Sequence, residues 1–219
     1  MFKRKIIIFL MLIMLITLCL PALASANVYV GGKWISSSGN ITGIKADIYT
    51  AAYGVISSGH MTCAWPMVWQ NNSIKYAQVG WAVEVKTNKP LCHYFYQAID
   101  GTYAYEYNSS VGPAWNTWHN YSVIRNSDGY WVGKADDAII GSVYINMNPN
   151  EVQYYNENDS SSTQYIGTSD NKLEFSQVKY YNGSSWLKPS LTFKHDTNSS
   201  IDTSYWSSGG YWYSWDSRY

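Results

Sequence analysis

The chain has 219 residues, with 15 Lys and Arg against 15 Asp and Glu, and 17% of it is Phe, Trp or Tyr. No basic run or stripe is present, which excludes the electrostatic footprint of a nucleic-acid binder. With 21 Tyr and 11 Trp, and no long stretch of apolar residues at helical spacing, the composition excludes a helical bundle and points to strands.

In chain order the first element is not structural. "MFKRK" is basic, "IIIFLMLIMLITLCL" is apolar and "PALASA" ends in small residues. This is the pattern of a secretory signal peptide over residues 1–26, cleaved after Ala26. Cys19 follows the bulky Leu18, which argues against a lipidated cysteine. Removal of Lys3, Arg4 and Lys5 leaves 12 basic and 15 acidic residues, a net charge of −3. No polybasic segment then remains to hold an anionic membrane. The expected location is extracellular, and the expected state a monomer.

Eleven candidate strands follow: "NVYVGGKW", "GIKADIYTA", "TCAWPMVWQ", "KYAQVGWAVEV", "CHYFYQAI", "TYAYEYN", "HNYSVIRN", "YWVGKA", "GSVYINM", "EVQYYNE" and "KLEFSQVKYYN". Turn chemistry separates them, including "NNS", "TNKP", "NSDG", "NPN" and "NGSS". Asp128-Gly129 reads as a hairpin tip. Many short strands so spaced predict an all-β, concanavalin-like antiparallel β-sandwich of two packed, curved sheets over residues 27–194. From His195 the chain is Ser-rich and then aromatic, ending "YWYSWDSRY". That C-terminal segment is expected to dock as an edge strand, since exposed aromatics at this density would invite aggregation.

Cys63 and Cys92 survive signal removal, and an isolated pair in an exported chain predicts a disulfide. The histidines (His60, His93, His119, His195) show no HxxxH or HxH spacing, so neither a metal site nor a cofactor is expected.

The strand Lys75–Val85 carries a question. Ala77, Val79, Trp81, Val83 and Val85 share one face; Tyr76, Gln78, Gly80, Ala82 and Glu84 share the other. A glutamine beside a glycine on the polar face suggests that something approaches the sheet closely there. In "EVQYYNEN", Glu151, Gln153, Tyr155 and Glu157 share one parity, opposite Val152, Tyr154 and Asn156.

"AQVGWAVEV", "HYFYQAIDGTYAYEYN", "GYWVGKADD", "NEVQYYNENDSS" and "KLEFSQVKYYNGSSW" occur in an order that resembles the secreted glutamic peptidases, the eqolisins, and more loosely the neprosin-type peptidases. The resemblance covers roughly Gly43 to Trp186. It implies a peptidase in which Gln78 matches the catalytic glutamine and Glu157 the catalytic glutamate. Glutamate would be the base toward a water, and glutamine the donor to the oxyanion. Tyr76, Glu84, Gln97 and Tyr155 would bind substrate. Gln97 stands where the family pattern has a glutamate, Ala98 replaces the following Trp, and "EVQYYNEN" lacks the Ala-Glu-Trp-Ile cadence. The activity implied is that of an endopeptidase on polypeptide at acid to near-neutral pH.

The alternative is a non-catalytic sandwich that binds an extracellular glycan or surface polymer. Its aromatic platforms would come from Trp65, Trp69, Trp115 and Trp118; parity assigns Trp81 to the core. A glycoside hydrolase ranks last, because no close Glu-x-Asp-x-x-Glu spacing is present.

Overall fold

The computed structural model describes residues 28–51, 58–86, 89–159, 164, 166–195, 201–206 and 211–217. The expected signal segment and Cys19 lie outside them. Fifteen strands are described: β1 Val28–Ile35, β2 Gly43–Tyr49, β3 Met61–Gln70, β4 Lys75–Lys86, β5 Lys89–Asp100, β6 Tyr103–Asn108, β7 Trp118–Arg125, β8 Tyr130–Ala135, β9 Ala138–Tyr144, β10 Glu151–Asn158, β11 Leu173–Tyr181, β12 Trp186–Leu187, β13 Thr192–His195, β14 Ile201–Trp206 and β15 Tyr211–Asp216.

They form two antiparallel sheets, as the strand spacing predicts. The first runs β13-β1-β10-β3-β4-β5-β6, and the second β14-β15-β11-β2-β7-β8-β9, with β12 on β11. Short turns set the register. Asp136 and Asp137 both have positive φ, 47° and 67°, between β8 and β9; short polar side chains tolerate that region, and paired positive φ matches the twist of a hairpin. At the expected Asp128-Gly129 tip, Asn126 Oδ1 accepts the N–H groups of Asp128 and Tyr130 at 3.1 and 2.8 Å.

The core lies between the sheets. From β4 it takes Ala77, Val79, Trp81, Val83 and Val85, the face assigned by alternation. Trp81, Trp131, Tyr96, Tyr121, Tyr154, Phe175 and Trp212 are fully buried. Each large apolar side chain so buried contributes on the order of 2 kcal/mol.

One expectation, the disulfide, changes. The C-terminal segment docks on the second sheet as a hairpin: β15 pairs with β11, and β14 pairs with β15 on its far side, at the end of the sheet. Trp212 of β15 stacks on Phe175 at 4.3 Å and so enters the core. Cys63 and Cys92 are both free. Cys63 pairs in register with Ala82 on β4, while Cys92 pairs with Val83. Their Cα atoms are thus two strand spacings apart, roughly 9.6 Å, beyond the Cα separation of about 7 Å that a disulfide spans. They also face opposite sides of the sheet: Cys63 lines a groove and Cys92 packs on the core.

Candidate active site

The face of the first sheet turned away from the core forms a groove of about 830 Å³. Its floor is a second apolar cluster that includes Cys63, Trp65, Met67, Phe95 and Tyr155. Every residue of β10 is buried, although its side chains alternate between core and groove.

Register arranges the floor in rows across the strands. One row reads Lys33, Gln153, Met67, Gln78, Gln97, Glu106. A second reads Tyr29, Glu157, Cys63, Ala82, His93. Between them lies a row of rings: Gly31 pairs with Tyr155, and Tyr155 with Trp65. Ala64 pairs with Trp81 and Met67 with Gln78, so the same register sets Trp65 opposite Gly80.

That answers the question raised by the "AQVGW" strand. A Cβ on Gly80 would lie 2.1 Å from the Ala64 carbonyl oxygen and 2.9 Å from Trp65 Cβ. The close approach at Gly80 is made by β3 of the same sheet. The Trp65 ring lies 5.4 Å from that of Tyr155. Its indole N–H donates to Glu157 Oε2 at 2.7 Å.

Glu157 is 8% exposed, on the groove floor. The Cys63 thiol donates to the same Oε2 at 3.7 Å. Burial pushes that thiol well above its ordinary range, and the Glu157 carboxylate pushes it further. It therefore stays protonated beside the acid.

Gln78 belongs to a different cluster. Gln97 Oε1 accepts from Gln78 Nε2 at 2.9 Å and from the Tyr76 hydroxyl at 2.8 Å. Burial, then the Glu157 charge, raises the Tyr76 phenol, so Glu157 is felt electrostatically across the groove. Gln78 and Glu157 share the groove but not a row. Gln153, not Glu157, stands level with Gln78. Four residues along β10 and two strand spacings put the Gln78 and Glu157 Cα atoms roughly 16 Å apart. A single water bridging an amide and a carboxylate needs their polar atoms within roughly 6 Å, from two hydrogen bonds of about 2.9 Å.

The remaining expected residues also lie in the groove. Glu84 and Tyr155 line it with Tyr76 and Gln97. Burial, then Glu151, pushes the Tyr155 phenol up to about 12. Trp65 and Trp69 line it too. Trp81 is in the core, whereas Trp115 and Trp118 are surface rings packed against Trp81 and Tyr49 respectively.

Several site residues escaped the sequence reading. Glu151 is 1% exposed and bonds Lys33 Nζ at 3.2 Å and Gln153 Nε2 at 2.7 Å. Glu106 and Asn108 reach the groove from the sheet edge. Strand parity in "MTCAWPMVWQ" would have grouped Cys63, Trp65, Met67 and Trp69, but both faces of that strand are apolar, so alternation gives no signal there.

The fold is that of the eqolisin-type glutamic peptidases. The chain is similar to scytalido-glutamic peptidase solved with a peptide-based transition-state analogue: 12% identity, a TM-score of 0.62, covering 87% of this chain and 98% of that one. A second structure of that peptidase, with a transition-state analogue inhibitor, gives 13% identity and 0.60 over the same shares. SCP-B, a member of the eqolisin family of peptidases in complex with the tripeptide Ala-Ile-His, gives 13% and 0.54, again over 87% and 98%. No protein-family model matches the sequence, and no curated protein matches it.

Proposed function

We propose that this protein is a secreted polypeptide-binding hydrolase in which Glu157 is the general base. The observation that carries the reading is the Trp65–Glu157 pair: a carboxylate fixed by an indole N–H at 2.7 Å, on the floor of an open groove. The solved proteins of this fold are described with a peptide-based transition-state analogue and with a tripeptide, which supports a polypeptide as the ligand. The basic, apolar and small-residue order of residues 1–26 supports export.

In the step proposed, Glu157 takes a proton from a water as its oxygen bonds to the scissile carbonyl carbon. The C–N bond then breaks, and Glu157 returns the proton to the leaving amine. Trp65 holds the carboxylate in place through both transfers. On the register found, Gln78 serves the same substrate some four residues away, as an amide that binds it. Water and carboxylate suffice for this chemistry as written, at acid to near-neutral pH.

A second reading is a non-catalytic binder of an extracellular glycan or surface polymer. It is favoured by one observation: the immediate neighbours of Gln78 along its row are Met67 and Gln97, neither of them a carboxylate, and aromatic rings flank that row.

One experiment separates the readings. Incubate the protein with a reduced, unfolded polypeptide between pH 3 and 7 and follow fragments by mass spectrometry. Wild type should cleave, and Glu157→Gln should not, while melting close to wild type, because the amide is nearly isosteric and still accepts the Trp65 N–H. Absence of cleavage together with retention on an insoluble polysaccharide decides for the binder.

A further inference from the structure

Gln78 and Gln153 flank one position of the groove floor. They stand level on one row with Met67 between them. Each is 7% exposed and lines the groove. Each amide is turned by a separate partner: Gln97 Oε1 takes one N–H of Gln78 at 2.9 Å, and Glu151 Oε1 takes one N–H of Gln153 at 2.7 Å. Glu151 is itself held by Lys33 at 3.2 Å. An amide NH₂ has two N–H groups and its carbonyl two lone pairs. The second N–H and the carbonyl oxygen of both side chains have no partner among the described residues. Two buried amides that line one groove, each held by one hydrogen bond, therefore each keep a donor and an acceptor uncommitted.

We infer that Gln78 and Gln153 form a subsite for a carboxamide side chain, Gln or Asn, of the bound polypeptide, seated over Met67. The proposal rests on the polypeptide reading of the groove. Its size is of the right order: a carboxamide with a hydrogen bond of about 2.9 Å on each side spans roughly 8 Å between partner atoms, and the Cα atoms of Gln78 and Gln153 are two strand spacings, roughly 9.6 Å, apart. Its chemistry fits too. A carboxamide both donates and accepts, as the two glutamines do. An apolar side chain would leave four buried polar groups unmatched, and such mismatches are what hydrogen-bonding sites reject most strongly. A carboxylate would lie close to Glu151 and Glu106 with no unneutralised cation in the row, since Lys33 is paired with Glu151. A lysine could use the two carbonyl oxygens but would leave both free N–H groups facing a cation.

The test varies the ligand first, so that it does not depend on a variant folding. Internally quenched peptides carrying Gln, Asn, Leu, Glu or Lys at each position in turn are compared as substrates of the wild-type protein. The same peptides, fluorescently labelled, are titrated against Glu157→Gln by anisotropy. At one position Gln or Asn should exceed Leu, Glu and Lys by about tenfold to a hundredfold. In Gln153→Leu, and separately in Gln78→Leu, the Gln-to-Leu ratio should fall to near one. Peptides that bind or are cleaved without regard to Gln at any position overturn the subsite and leave the polypeptide reading standing. Equal acceptance of Lys overturns it as well. Peptides that neither bind nor are cleaved, with retention on polysaccharide, overturn both.

Discussion

Gly80→Ala tests whether the ring row is packed as tightly as the geometry requires. The new Cβ would sit 2.1 Å from the Ala64 carbonyl oxygen and 2.9 Å from Trp65 Cβ, against 3.4 Å or more for an ordinary contact. One of β3 and β4 must therefore shift by about 1.3 Å, and β3 is also hydrogen-bonded to β10. Interiors this dense resist such movement. Overpacking typically costs about 1–3 kcal/mol, and a clash with backbone belongs at the upper end. The reduced entropy of the unfolded chain offsets less than about 1 kcal/mol of this. For a chain of this size, about 3 kcal/mol lowers Tm by roughly 6–12 °C. Gly32→Ala is the comparison: its Cβ would meet Leu191 Cδ1 at 3.0 Å, Leu191 Cβ at 3.2 Å and Phe193 Cε1 at 3.3 Å, side chains rather than backbone, and should cost less than Gly80→Ala. Thermal melts of the three proteins by near-UV circular dichroism measure the difference. A Gly80→Ala melt within 2 °C of wild type, taken as roughly 1 kcal/mol or less, or equal to that of Gly32→Ala, would refute the packing argument.

Gln78→Ala should raise KM about tenfold with kcat little changed, as loss of one substrate hydrogen bond does. A kcat loss of about 10²–10³ at constant KM would instead mark an oxyanion donor and sink the register argument. Thiol titration of the denatured, unreduced protein should find both Cys63 and Cys92 reactive; a chain with neither free would restore the disulfide. Burial raises Cys63, and raises Cys92 to about 12, so both thiols stay neutral when folded while the unfolded chain ionises near pH 8.5. Stability from the neutral thiols is then complete below about pH 8.5 and is lost as pH climbs toward the folded values. Urea midpoints that are flat to pH 8 and fall by pH 10.5 are expected; a midpoint unchanged at pH 10.5 contradicts this.

What the sequence made legible was what is local. Alternation in Lys75–Val85 and Glu151–Asn158 assigned each side chain to a face, because the strand period is two whatever the partner. Gln78, Tyr76, Glu84, Gln97, Tyr155 and Glu157 all reached the groove on that basis and on motif order. The Asp128-Gly129 tip was legible because its chemistry is contained in Asn126–Tyr130. The disulfide was not, because pairing two cysteines is a statement about register and face together. "TCAWPMVWQ" hides its face under apolar residues on both sides, and "CHYFYQAI" hides its own under alternating rings.

Register explains the functional revision as well. Parity can say that Gln78 and Glu157 look into one groove; only strand pairing says how far along it each one stands. Motif order placed a glutamate late in the chain, and the pairing of β10 with β3 and of β3 with β4 puts a glutamine level with Gln78. On the function proposed, the groove separates two jobs that the motif order had joined. At one end an indole and a thiol fix a carboxylate that can accept a proton. Two rows away, across the rings of Tyr155 and Trp65, uncharged amides are held by Gln97 and Glu151, which suits recognition rather than proton transfer. An extended chain laid along the strands advances about 3.3 Å per residue, so four of its residues reach from one cluster to the other. A ligand of that shape uses both ends at once, which a compact ligand confined to one row cannot do.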